Sequence, residues 1–171
     1  IKLINTKRSS ISKHIGMNLL EIANLYNKEP FDWLLDNAIN DGFEDLFAAE
    51  LLNSDNKQVQ KLLKHQYASI ALSDAGAHTS LLCDAGYAID LLSKWTKKFK
   101  VFSLEEAVYN LTGKQADICR IPKRGRLVPG HFADMILFDP NKISTSAAYR
   151  KNDLPAKSDR LIVDPIGIKE I

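Results

Sequence analysis

Residues 67–74, YASIALSD, form a short apolar run with no polar side, closed by a carboxylate. A strand covered on one face alternates polar and apolar residues. A run without alternation is expected where helices cover both faces, as in a parallel sheet. The small-residue turn AGAH follows, and LLCDAGYAIDLLSKW then places Leu81, Leu82, Ala85, Ala88, Ile89 and Leu92 at helical spacing. The segment therefore predicts a strand, a carboxylate at its end, a turn and a helix. In α/β barrels that geometry holds catalytic groups at the C-terminal ends of the strands.

Asp74 is thus a candidate catalytic carboxylate, and Gly76 and His78 are candidate substrate contacts in the turn beyond it. Each has a plainer reading. An Asp beside Gly forms turns and caps helices, and a lone His near a helix start caps or packs. His14, His65 and His131 are scattered, with no HxH and no HExxH, so these residues make no local metal cradle. Cys83 and Cys119, far apart and outside any CxxC, read as two reduced, buried thiols.

The helices around this segment carry their own signals. Met17, Leu20, Ile22, Ala23 and Leu25 fall at near-helical spacing with Asn18 placed as an N-cap, and Pro30 opens a helix that closes at Asp41-Gly42. FEDLFAAELL (43–52) is open between strand and helix, and Ser54 is placed to cap a helix over 55–65. Ser103 and Glu106 spell a capping box for a helix ending at Thr112 or Gly113, and a short helical turn, KQADICR, follows. RGRLVPGHFADMILFDP (124–140) predicts two extended runs about a Pro129-Gly130 turn.

Composition narrows the function classes. A chain of 171 residues, 45% hydrophobic and 26% charged, can bury a real core. Its net charge of +2 predicts no nucleic-acid face. The basic runs KWTKKFK and RIPKRGR read as solvated helix-end and turn charges. No stretch approaches the roughly 20 apolar residues that span a bilayer, and no signal-peptide pattern opens the sequence, so the expectation is no membrane and a cytoplasmic location. The first residue is Ile1, and the last residues stop within an apolar alternation, which predicts a fragment.

SDAGAH (73–78), LEEAVYNLTGKQAD (104–117), RGRLVPGHFADMILFD (124–139) and YRKNDLPAKSDRLIVDPIGI (149–168) together resemble the amidohydrolase superfamily, and within it the N-acyl-D-amino-acid deacylase branch. The resemblance runs from about residue 15 to the end of the chain, and the RG.L.PG..AD...FD pattern is its most specific part. It implies an α/β fold: the C-terminal portion of a (β/α)8 TIM-like barrel over 1–119, then the β-strands of a small composite β-sandwich over 120–171. It implies a hydrolase of non-peptide C–N bonds, with Asp74 in the position of the family's catalytic aspartate. It implies zinc in the full-length parent, with ligands mostly outside these residues and none expected in this chain alone. In that chemistry a metal polarises the amide carbonyl and its bound water, while the carboxylate takes the water proton and returns it to the leaving amine.

No arginine lies between Arg8 and Arg120, so a guanidinium clamp for a substrate carboxylate has to come from elsewhere, and substrate identity stays open. The alternative function is a non-catalytic α/β scaffold or dimerisation module that keeps the family's shape. A cut barrel exposes strand edges and apolar faces, which predicts a homo-oligomer. The expected partner of the enzyme is a small-molecule amide.

Overall fold

The computed structural model describes residues 1–49, 52–75, 79–80 and 85–171. The chain is mixed α and β, and it divides into two compact units, Ile1–Asn56 and Lys57–Ile171. The boundary expected at 119/120 falls inside the second unit.

In the first unit, β1 (Lys2–Asn5) pairs antiparallel with β2 (Leu46–Ala48), Leu3 opposite Phe47. This settles the ambiguous 43–52 run in favour of a short strand over its described part. α1 (Ser9–Ser12) is a single turn. α2 (Leu19–Leu25) starts where Asn18 accepts from the Glu21 N–H at 2.8 Å, while the Glu21 carboxylate accepts from the Asn18 N–H at 2.9 Å. Two N–H groups that no helical turn can satisfy are met in this way. α3 (Pro30–Asp41) has its proline at N1 and ends on Gly42, whose φ of 67° is the left-handed conformation a C-cap requires.

Leu3, Ile11, Leu19, Ile22, Ala23 and Trp33 form this unit's core. The Trp33 ring sits 5.9 Å from Tyr26 and 6.4 Å from Phe47, centroid to centroid. Beside it, Arg8 and Asn37 both donate to Asp45, at 2.9 and 2.8 Å. Burial pushes the Asp45 carboxyl up, but hydrogen bonds, Thr6 and Asn37 foremost, outweigh it and hold the group below the usual carboxylate range.

The second unit takes nearly all of α4 (Asn56–Leu63), with α5 (Tyr87–Asp90), a π-helix (Leu91–Lys98), α6 (Leu104–Leu111) and α7 (Gly113–Ile118). The wide turn of the π-helix is visible in the Phe99 N–H, which reaches back five residues to the Lys94 carbonyl at 3.0 Å. α6 repeats the device of α2: Ser103 and Glu106 close a capping box. The unit's core joins Leu91, Leu92, Val101, Phe102, Ala107 and Ile143. Three antiparallel ladders follow: β3 (Leu137–Phe138) with β8 (Ile168–Glu170), β4 (Ser144–Thr145) with β7 (Pro165–Ile166), and β5 (Tyr149–Lys151) with β6 (Arg160–Ile162).

Three sequence expectations are corrected. Residues 67–74 contain no strand, and every strand pair among the described residues is antiparallel. A parallel strand needs a neighbouring strand to take its backbone hydrogen bonds, and no described residue supplies one. The two extended runs expected in 124–140 reduce to Leu137–Phe138, which alone finds a partner strand, although Gly130 does turn with φ 83°. Cys119 is exposed, because it caps the last turn of α7 on its outer side; Cys83 lies outside the described residues.

Candidate functional site

The run 68–72 carries the backbone towards Asp74, and side chains take the place a neighbouring strand would have. Lys114 Nζ donates to the Ala68 carbonyl at 2.7 Å and to Asn110 Oδ1 at 3.3 Å. Gln115 Nε2 donates its two hydrogens to the Ile70 carbonyl at 2.8 Å and the Asn110 carbonyl at 2.9 Å, with Ser69 Oγ also 2.8 Å away. The Ser69 hydroxyl in turn lies 3.0 Å from Gln115 Oε1. From the other side, the Tyr87 hydroxyl donates to the Ala71 carbonyl at 3.3 Å. These carbonyls thus avoid the cost of standing unpaired.

Between this run and the helix begun by Tyr87 lies a cavity of about 430 Å³. Leu63, Ile70, Leu72, Leu91 and Trp95 make its apolar wall, and Asp90 contributes a carboxylate. The size suits a small organic group. Asp74 is exposed, two residues beyond the cavity wall, and does not line it. Its neighbour Ser73 accepts from the Ala75 N–H at 3.3 Å, a local turn. Gly76 and His78 lie outside the described residues.

Of the remaining histidines, His14 packs and His65 closes a turn, while His131 Nδ1 is buried without a hydrogen-bond partner among the described residues. His14 is buried, with Nε2 3.2 Å from the Tyr26 hydroxyl, and His65 Nδ1 accepts from the Tyr67 N–H at 3.3 Å. Among the described residues no three His, Cys, Asp or Glu side chains converge as a metal-binding group, so these residues do not fit a metal centre.

The most specific sequence pattern, RGRL…FADM, proves to be a packing device. Arg126 grips Asp117 of α7 with two bonds, 2.8 and 2.6 Å, and this hydrogen-bonded guanidinium holds the Asp117 carboxyl below its ordinary value. Arg124 pairs with Asp134 and lies over the Phe132 ring, 4.4 Å from its centroid. Gly125, at φ 78°, passes so close to α6 and α7 that a Cβ would stand 2.8 Å from both the Thr112 carbonyl oxygen and the Ala116 Cβ. Arg124 and Arg126 are thus exposed charges, as the basic run reads, that also hold acidic partners. Sequence reasoning missed Lys114, Gln115 and Tyr87, whose partners lie 46, 45 and 16 positions away. Their only sequence signal was the presence of the KQ pair inside the LTGKQAD motif.

No family model matches the chain. It is 34% identical over 59 residues to D-aminoacylase of Alcaligenes xylosoxydans xylosoxydans, which is 34% of this chain and 12% of that protein. It is 31% identical over 64 residues to N-acyl-D-aspartate deacylase of the same organism, covering 37% and 13%. A third relative there, N-acyl-D-glutamate deacylase, is 25% identical over 99 residues, covering 56% and 20%. The chain therefore spans a fifth or less of the length of these relatives. A crystal structure of D-aminoacylase, described as defining a novel subset of amidohydrolases, superposes with a TM-score of 0.45 at 22% identity, over 84% of this chain and 28% of that one. That superposition is too loose to decide the architecture. The sequence resemblance to N-acyl-D-amino-acid deacylases, over part of the chain, is what these comparisons show.

Proposed function

We propose that the chain belongs to an enzyme that hydrolyses an amide C–N bond of an N-acyl amino acid. The observation that carries this is its similarity to three separate deacylases. In this reading 1–119 is the C-terminal part of a (β/α)8 barrel, 120–171 is a β-sandwich segment, and a cytoplasmic location completes the proposal. Asp74 is the proton carrier. Its carboxylate takes a proton from the attacking water and returns it to the amide nitrogen, which leaves readily only once protonated. Gly76 and His78, next along the chain, are the proposed substrate contacts. No step is routed through a metal, for which the described residues offer no cradle.

The partners are proposed to be a small-molecule amide and further copies of the chain. Self-association is supported by the exposed apolar stripe Phe31, Leu35 and Ile39 on α3, and by exposed Leu127, Phe132, Met135 and Ile136 in the second unit. Among the described residues no helix is long and apolar enough to cross a membrane.

The test uses racemic N-acetylalanine, which prejudges neither stereochemistry nor metal content. Asp74→Asn in the whole protein is expected to lower kcat by about 10²–10⁴-fold, the span of a lost general acid–base group. Wild-type turnover by that variant would transfer the assignment to the non-catalytic scaffold.

A further inference from the structure

We propose that Gln115 is a positioning residue for Asp74, acting with Lys114 and Tyr87 as a side-chain clasp on the run that presents the carboxylate. The inference rests on the reading of Asp74 as proton carrier. Three carbonyls in four residues, Ala68, Ile70 and Ala71, accept from side chains rather than from a strand, and two of the three donors come from consecutive residues at the start of α7. Gln115 is the centre of this arrangement. Its amide spans Ser69, Ile70 and Asn110 at once, so it fixes the run against the C-terminal end of α6.

The chemistry of the contact requires a donor. Ile70 and Asn110 both offer carbonyl oxygens, which an amide nitrogen satisfies and a carboxylate repels. Gln115→Glu therefore keeps the shape of the side chain and inverts the interaction. The Gln115 anchor at Ile70 is four residues from Asp74, so releasing the run there displaces the carboxylate on the scale at which proton-transfer geometry is lost. Gln115 touches no reacting atom in this account and acts only through the backbone it holds.

The experiment has two readouts. In the 171-residue chain, Gln115→Glu is expected to lower the backbone order of 69–75, read as a fall in ¹⁵N heteronuclear NOE, with 19–41 unchanged. In the whole protein, hydrolysis of racemic N-acetylalanine by the same variant is expected to lose about tenfold in kcat with KM within about twofold. Lys114→Met removes one bond of the clasp, keeps the aliphatic stem, and gives a smaller change in the same direction if Gln115→Glu fails to fold. Lower order over 69–75 with unchanged kcat overturns the positioning role and leaves a purely structural contact. Unchanged order overturns the clasp. Wild-type turnover by Asp74→Asn marks the failure of the underlying reading, whereas an inactive Asp74→Asn beside a fully active Gln115→Glu marks the failure of this inference alone.

Discussion

Among the described residues each unit holds a buried cluster of six apolar side chains, backed by three partly buried ones in Ile1–Asn56 and by nine in Lys57–Ile171, a segment about twice as long. The first unit encloses its core with two multi-turn helices and a ladder between its own ends. The second spreads its own over a π-helix, two short helices and three ladders of two or three residues each. The difference lies in where the backbone hydrogen bonds go. A helix closes them within four residues, whereas a strand depends on a partner that the sequence around it does not contain. The first unit is built from locally satisfied elements; the second also uses side chains to meet backbone carbonyls, as at 68–71.

That contrast predicts unequal costs for removing an aromatic ring. Trp33 is 5% exposed and stacks between Tyr26 and Phe47, so Trp33→Ala is expected to cost about 3–5 kcal/mol. Phe138 is half-buried in a two-residue strand, and Phe138→Ala is expected to cost about 1 kcal/mol. Urea unfolding, with hydrogen exchange to locate the unit affected, measures both. Equal losses would mean that the second core is as tightly built as the first.

The same distinction explains what the sequence made legible. The caps at Asn18 and Ser103, Pro30 at the start of α3 and Gly42 at its end were all readable, because each acts on residues within one turn of itself. The run 67–74 was misread because its apolar pattern records a demand for covering layers, not their presence. The two extended runs in 124–140 failed for the same reason. Asp74 was readable as a carboxylate after an apolar run, but what holds that run was not, since Lys114 and Gln115 bond its Ala68 and Ile70 carbonyls from more than forty residues away.

A smaller effect tests whether local devices are indifferent to the unit that contains them. Asn18→Ala and Ser103→Ala each leave one helix N-terminal N–H, that of Glu21 or Glu106, without its side-chain acceptor, and each is expected to cost about 1 kcal/mol. Thermal unfolding followed by circular dichroism, with exchange at residues 19–22 and 104–107, compares them. A Ser103 loss several times the Asn18 loss would show that the second unit leans on its caps where the first does not.

The smallest effect belongs to the β5–β6 hairpin. Arg160 holds Asp153 through two bonds, 2.7 and 2.8 Å, with Lys151 3.6 Å away, and this hydrogen-bonded guanidinium lowers the Asp153 carboxyl from 3.8 to about 2. A depressed carboxylate contributes its stabilisation above the unfolded value and loses it as pH falls from 3.8 towards about 2. NMR titration should therefore place the Asp153 midpoint near 2, and Arg160→Gln should return it most of the way to the ordinary range, Lys151 retaining a little of the shift. Hairpin shifts above pH 4 should not change, because the ladder Tyr149↔Ile162, Arg150↔Leu161 and Lys151↔Arg160 is held by the backbone. An ordinary midpoint in the native chain would mean that water, not Arg160, surrounds the carboxylate, and that even this hairpin draws its order from main-chain pairing alone.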